Sequence, residues 1–258
     1  MLKEGEFEQT IAGAQMVLAG IGEEFECSRY LKEQMRYVQI MEELEAKNSF
    51  MWMIPYLQYL FLRNYEPLLA AMEKLKELLK DKNYYLLTVC MHGIEDEIGY
   101  REGRVVSPCG GFRNIQCSSK ECDYIGEVPE ELLIQISDYV KGRLALEEIR
   151  VSSCPKCGKA LQFNSLYADN YKEAGYLEDW NIYTKWLQGT LNRELCVLEL
   201  GVSLNLPTVI RFPFEKIAYF NEKAQFIRVH EKLYHLSLEL GGKGIAQAEN
   251  AVDFLNHI

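Results

Sequence analysis

Four of the chain's eight cysteines stand in two tight pairs, Cys117-x4-Cys122 and Cys154-x2-Cys157, with 31 residues between them. Paired thiolates at these spacings suit a tetrahedral ion, and zinc is the expected occupant. Four sulfur ligands leave no coordination position for water, so the predicted site is structural and not catalytic. Pro155, Lys156, Gly158 and Lys159 give the second pair a turn, and the lysines offset part of its negative charge. A second stretch with chemical potential is Met16-Val17-Leu18-Ala19-Gly20-Ile21-Gly22, an apolar run that ends in glycines. It reads as a buried parallel strand entering a turn. A helix that starts there would attract anions. Glu23 and Glu24 follow directly, however, and two carboxylates would oppose a phosphate. The simpler reading is that they cap their own helix.

The elements that must carry these residues alternate. A helical pattern from Glu23 to about Lys47 puts Met35, Val38, Met41 and Leu44 at spacings of three, and Pro55 breaks the next segment. Leu68, Met72, Leu75 and Leu79 form an apolar stripe from about Pro67 to Lys80. A second strand is expected over Tyr84–Cys90 and a third at Arg104–Ser107. Residues 108–160 hold short strand-like pieces. A helix then presents Trp180, Tyr183, Trp186, Leu187 and Leu191, followed by the strand Cys196–Val202 and a helix over about Pro207–Asn221. Gln225–Val229 reads as a strand, and Gly244–Leu255 as a last strand and helix. Apolar strands alternating with helices imply parallel pairing and right-handed crossovers. The fold class is therefore α/β, a Rossmann-like parallel sheet with a smaller inserted domain made of a zinc ribbon and a helical module. The expected division is 1–29, 75–114 and 161–258 for the large domain, 30–74 for the helical insert and 115–160 for the zinc-binding module.

Composition bounds the partners. The 258 residues carry 38 Asp and Glu against 28 Lys and Arg, a net charge of −10. Such a field repels nucleic acid and anionic lipid, so neither is an expected partner. The greasiest stretch, Phe50–Leu62, contains Pro55 and Gln58 and is too short to cross a bilayer. The acidic start MLKEGEFEQT reads as neither a signal nor a transit peptide. A reducing cytoplasm fits the cysteines better than a disulfide framework does.

This order of motifs resembles that of the sirtuins: Gly20-Ile21-Gly22 after the first strand, Thr88 and Gly93 at the second, two cysteine pairs, then Gly201 and Ser203. Leu191-Asn192, Glu199-Leu200-Gly201-Val202-Ser203-Leu204-Asn205, Pro207 and Ile210-Arg211-Phe212-Pro213-Phe214-Glu215 are similar to the branch associated with macrodomains and lipoyl carriers. The resemblance spans about residues 12–255. It implies NAD lying between the two domains, with Gly20, Gly22, Thr88, Gly201, Ser203 and His230 at the cofactor-binding positions. Active relatives cleave NAD and pass ADP-ribose to an acyl-lysine, which gives deacylation, or to a protein side chain. The implied partner is an acylated, lipoylated or ADP-ribosylated protein.

The catalytic positions depart from that family's pattern. Cys90 stands where the family has Asn, His92 where it has Asp, and Cys109 where it has a His or Gln base. Ile21 replaces a small residue, His230 replaces an Asn, and Cys27-Ser28-Arg29-Tyr30 stands where Gly-Ile-Pro-x-Phe-Arg belongs. A thiol cannot both donate and accept as an amide does. Imidazole in place of carboxylate removes the charge that would stabilise an oxocarbenium-like sugar. Several catalytic parts that act as a unit have gone together. The expectation is a zinc-containing binding or regulatory module, for a nucleotide, ADP-ribose or a modified protein, that has lost ordinary NAD-dependent catalysis. The alternative is an active deacylase or mono-ADP-ribosyltransferase with a rebuilt site. A third reading has Cys90, His92 and Cys109 converging as a metal site or an activated thiol. The opposing reading makes the cysteines buried filler. Glu95, Asp96 and Glu97 read as the start of the next helix. Trp52, Tyr56, Tyr59 and Phe61 read as ordinary packing, although the resemblance would also allow an acyl or lipoyl channel.

Overall fold

Helix α1 (Glu6–Gly13) leads into strand β1 (Met16–Ile21), whose residues are all buried. The structure is a computed structural model that describes residues 2–3, 5–47, 50–240 and 242–258. A 3₁₀ turn at Glu23–Glu26 is followed by α2 (Ser28–Glu33) and α3 (Met35–Lys47). The single helix expected from Glu23 to Lys47 is thus three pieces. Cys27 adopts the left-handed region at φ 48, and Gln34 is extended, so the helical ladder restarts twice. The restart rotates the buried face. Tyr37, Ile40 and Leu44 point inward, while Met35 is 75% exposed.

Pro55 begins a helix and does not break one: it lies in the first turn of α4 (Ile54–Leu62), where a missing N–H costs nothing. Helix α5 (Glu66–Leu79) buries Leu68, Met72, Leu75 and Leu79, the predicted stripe. Each such side chain contributes roughly 1.5–3 kcal/mol on burial. Then come β2 (Asn83–Thr88), the short α6 (Ile94–Ile98) and β3 (Val105–Val106).

The small unit contains β4 (Gly110–Cys117), β5 (Ile125–Glu127), α7 (Glu130–Val140) and β6 (Leu161–Ser165). The chain returns through α8 (Leu177–Gln188), β7 (Leu195–Leu200), α9 (Arg211–Phe220), β8 (Gln225–Val229), β9 (Gly244–Gln247) and α10 (Ala251–His257). In α8 the inward residue is Tyr183, whereas Leu191 lies beyond the helix and is 62% exposed.

The large sheet has six strands in the order β3-β2-β1-β7-β8-β9, with every pair parallel. The small sheet, β5-β4-β6, is antiparallel. This is the expected α/β architecture of a Rossmann-like sheet with a smaller second unit. Strand β1 alternates between two cores: Val17, Ala19 and Ile21 pack with α1, α5 and α10, and Leu18 packs on the face covered by α8 and α9. A third core joins α3 and α4 to the small sheet and α7. The strand order reverses at β1, so the carboxyl ends of β1 and β7 open a crevice at a topological switch point. In such sheets ligands bind there. Among the described residues, no helix is long and apolar enough to cross a membrane.

Candidate functional site

Two places in the molecule gather chemistry. The first is the cysteine cluster. The sulfurs of Cys117, Cys122, Cys154 and Cys157 lie within 4.8 Å of one another. The pair Cys117 and Cys157 is 3.3 Å apart, and Cys122 and Cys154 are 3.7 Å apart. A tetrahedron with metal–sulfur bonds of 2.3 Å has edges of about 3.8 Å, so the four sulfurs already hold the spacing of a tetrahedral thiolate site. The knuckle at Cys154 is a tight turn in which Gly158 N–H donates to the Cys154 carbonyl at 2.8 Å. Gly158 has φ +73, a conformation that a side chain would strain. The Ser119 N–H donates to the Cys117 sulfur at 3.4 Å. The donor set fits a metal ion that carries no substrate.

The second place is the crevice at the strand ends. Gly20 lies in β1 and Thr88 ends β2, while Gly22, Gly201, Ser203 and His230 follow β1, β7 and β8. Both glycines of the first turn have steric duties. A Cβ on Gly20 would come within 2.6 Å of Ile210 and 2.7 Å of Phe214 on the α9 side. One on Gly22 would lie 2.3 Å from the Cα of Val202.

Glu23 and Glu24 do not cap a helix of their own. The Glu23 carboxylate accepts the Ser203 N–H at 2.8 Å and its hydroxyl at 2.5 Å. Glu24 accepts the N–H of Glu231 at 2.9 Å and of Ala251, the first residue of α10, at 2.7 Å. Burial raises the Glu24 pKa, and these two N–H groups pull it part of the way back. Two side-chain anions thus take backbone donors on the crevice rim that a phosphate would otherwise use. At these donors the two carboxylates oppose a pyrophosphate, although Arg29, which pairs with Glu231, and Lys232 line the same cavity. Glu23, Glu24, Gly201, Ser203 and His230 still line one cavity of about 360 Å³, whose wall includes Tyr30 stacked on Tyr65 at 3.9 Å.

His230 holds its own loop: its Nδ1 accepts the N–H groups of Lys232 and Leu233, both at 3.0 Å. Burial lowers its pKa, so the ring is held neutral. Thr88 turns its hydroxyl onto the chain and accepts the Cys90 N–H at 3.0 Å.

Cys90, His92 and Cys109 are not gathered into a metal site. Among the described residues, the one group of at least three such ligands within 4.8 Å is the four-cysteine cluster. Cys90 packs with the core on one face of the sheet and Cys109 with the core on the other. The Cys90 thiol donates to the Gly22 carbonyl at 3.3 Å. Burial pushes the Cys90 thiol well up and the Cys109 thiol to about 12, so neither is an activated nucleophile. His92 accepts the Ile94 N–H at 3.2 Å, and burial lowers its pKa to about 4. An imidazole held neutral supplies no positive charge to lower a thiol's pKa.

Sequence reasoning missed three groups. Glu199 in β7 is fully buried and lies opposite Arg228 of β8 in register. Arg228 binds its two oxygens at 2.6 and 2.8 Å and also reaches Glu215 at 2.6 Å. Arg211 joins at 3.1 Å and holds the carbonyls of Val202 and Leu233, which fixes both crevice loops. One charge in each of two apolar strands was the available signal, since such charges are buried only when paired. Glu26 was also passed over, and burial, reinforced by the charge of Glu23, raises its pKa to about 7. Glu95, Asp96 and Glu97 do stand in the first turn of α6, where Glu95 is 3% exposed and Asp96 pairs with Arg113. The aromatic segment packs: Trp52 meets Phe163 at 5.1 Å, and Tyr56 meets Phe112 at 5.0 Å.

No protein-family model matches the chain. A protein ADP-ribosyltransferase of Staphylococcus aureus is 24% identical over 168 residues, 63% of this chain. The match covers 51% of that protein, so the chain spans about half the length of its curated relative. Sir2Tm bound to a propionylated peptide superposes with a TM-score of 0.56 at 12% identity, covering 99% of this chain and 97% of that one. A complex of a Sir2 homologue with NAD gives 0.55 at 12% identity, covering 100% and 92%. The fold is sirtuin-like, in both the large sheet and the small unit.

Proposed function

We propose that this chain is a sirtuin-fold protein stabilised by a structural zinc ion, in which ordinary NAD-dependent catalysis has been lost and a binding or regulatory role remains. The observation that carries this reading is the pairing of Glu23 with Ser203 and of Glu24 with Ala251 and Glu231. A dinucleotide phosphate would have to compete with two satisfied carboxylates for these backbone donors. Cys90, His92 and Cys109, at the family's catalytic positions, are buried and supply neither a carboxylate nor a free base. Zinc at Cys117, Cys122, Cys154 and Cys157 would tie β4 to the 154–157 knuckle and supply folding energy only. The partner on this reading is a protein, with an acylated, lipoylated or ADP-ribosylated side chain as the modified group.

A second reading, mono-ADP-ribosyl transfer or deacylation, is favoured by the name of the Staphylococcus aureus relative and by the retained Gly201 and Ser203. Incubation with NAD and an acylated or lipoylated carrier separates the two. No nicotinamide release above the rate of a boiled control is expected. Turnover that is lost in His92→Ala or Cys109→Ala would overturn the first reading and establish the second.

A further inference from the structure

The four thiols of the cysteine cluster are not equivalent. Cys117, Cys122 and Cys154 are buried, at 0%, 8% and 3% exposure, whereas Cys157 is exposed. Backbone N–H groups act on the three buried sulfurs: that of Ser119 on Cys117, that of Tyr124 on Cys122, and those of Lys156 and Cys157 on Cys154. Each such N–H stabilises the thiolate it faces and so makes it a weaker nucleophile.

A metal-bound thiolate remains a nucleophile wherever a reagent can reach it, and here the reachable member is Cys157. Its sulfur lies 3.3 Å from that of Cys117 on the other knuckle, closer than Cys122 lies to Cys154 at 3.7 Å. A disulfide bond is about 2.05 Å long, so a movement of little over an ångström would join Cys157 to Cys117. An accessible thiolate beside a second thiol is the arrangement that oxidants select. The remaining cysteines compete poorly. Cys90, Cys109 and Cys196 are buried, and burial pushes the half-buried Cys27 thiol up to about 12.

We propose that Cys157 is a modification site for small peroxides, with Cys117 as the second thiol that closes a disulfide on it. The Cys157 thiolate attacks one peroxide oxygen: an S–O bond forms, the O–O bond breaks, and hydroxide leaves. The Cys117 thiolate then attacks the Cys157 sulfur, and the S–S bond forms as a second hydroxide leaves. Two electrons pass from the sulfur pair to the peroxide, and the hydroxides take up two protons as water. Only Cys122 and Cys154 are then left as thiolates, too few for a closed site, so the ion is released. The inference rests on the reading of the four sulfurs as a zinc site, and is independent of whether NAD is used in the crevice.

The test uses the full-length, zinc-loaded chain, hydrogen peroxide, and dimedone as a trap for sulfenic acid. Peptide mapping should place the first dimedone label on Cys157. Without the trap, a Cys117–Cys157 disulfide should form and the zinc should pass to a chromogenic chelator, while Cys90, Cys109 and Cys196 stay reduced. Dithiothreitol and added zinc should restore the metal content. All these readouts come from the unaltered sequence, so no variant has to fold. A first label on Cys122 or Cys154, a Cys122–Cys154 disulfide ahead of the Cys117–Cys157 one, oxidation of Cys27 before any zinc is released, or zinc retained under excess peroxide would each overturn the proposal. Zinc counted before peroxide is added tests the metal reading separately: a chain without it would overturn that reading, and the proposal with it.

Discussion

Glu23 takes two hydrogen bonds from a single residue, the N–H and the hydroxyl of Ser203, at 2.8 and 2.5 Å. Glu23 follows β1 and Ser203 follows β7, so one carboxylate ties together the two strands between which the crevice opens. Glu24 does the same between β1 and the start of α10, with Gly201 pressed against it: a Cβ there would lie 2.7 Å from that of Glu24. The crevice therefore carries its own anions, held by the backbone that would otherwise receive a ligand's.

Removing these anions has two separable effects. Glu24→Ala leaves the N–H groups of Glu231 and Ala251 without their acceptor and should cost about 1–3 kcal/mol in urea unfolding. The double variant Glu23→Ser, Glu24→Ser frees donors for an outside anion. Its affinity for ADP-ribose by calorimetry should exceed that of the parent by about tenfold or more. Equal affinity in both proteins would sink the idea that the carboxylates obstruct the crevice.

The four-cysteine cluster makes a different demand. Elemental analysis of the purified chain should return one zinc per molecule. Replacing Cys122 with Ser should lower this to near zero and increase protease cleavage between residues 115 and 160. Structural zinc supplies folding free energy on the order of 10 kcal/mol in isolated modules, so partial loss of order is the expected result. Two metal ions per chain, or a Cys122→Ser variant that keeps its metal, would contradict a single closed site.

Glu26 should reveal itself through pH. Its carboxyl is raised to about 7 in the folded chain, mainly by burial. A group whose folded pKa lies above its unfolded value binds more protons in the native state. Its ionisation therefore costs stability as pH rises from about 4.5 to about 7. Glu26→Gln should stabilise the chain by about 1–3 kcal/mol at pH 8, after allowance for solvent screening, and by almost nothing at pH 4.5. His92, lowered to about 4, drives stability the other way between pH 6.5 and 4. It is present in both proteins, so the difference between them isolates Glu26. A constant offset from pH 4.5 to 8 would refute the raised pKa.

The parts that could be read in the sequence were those in which a single period or spacing decides the outcome. The stripe Leu68, Met72, Leu75 and Leu79 and the strand Gln225–Val229 stand where hydropathy puts them. The four cysteines converge because their spacing serves one ion's geometry. The rest depended on contacts between distant segments. Cys27 in a left-handed turn breaks a helix that periodicity alone would continue. Glu23 and Glu24 find partners at Ser203, Glu231 and Ala251, which nothing local announces. Cys90 and Cys109 pack in different cores, and with His92 they form no group of metal ligands among the described residues. Arg211 and Glu215, quoted only as part of a family motif, serve the buried Glu199 and Arg228.

Gly20 and Gly22 are required by α9 and by the backbone at Val202. Any larger residue at either position would force apart the strand and its neighbours, whether or not a nucleotide ever enters. The glycine signature can therefore outlast the chemistry it is commonly taken to advertise, because selection for close packing alone is enough to preserve it.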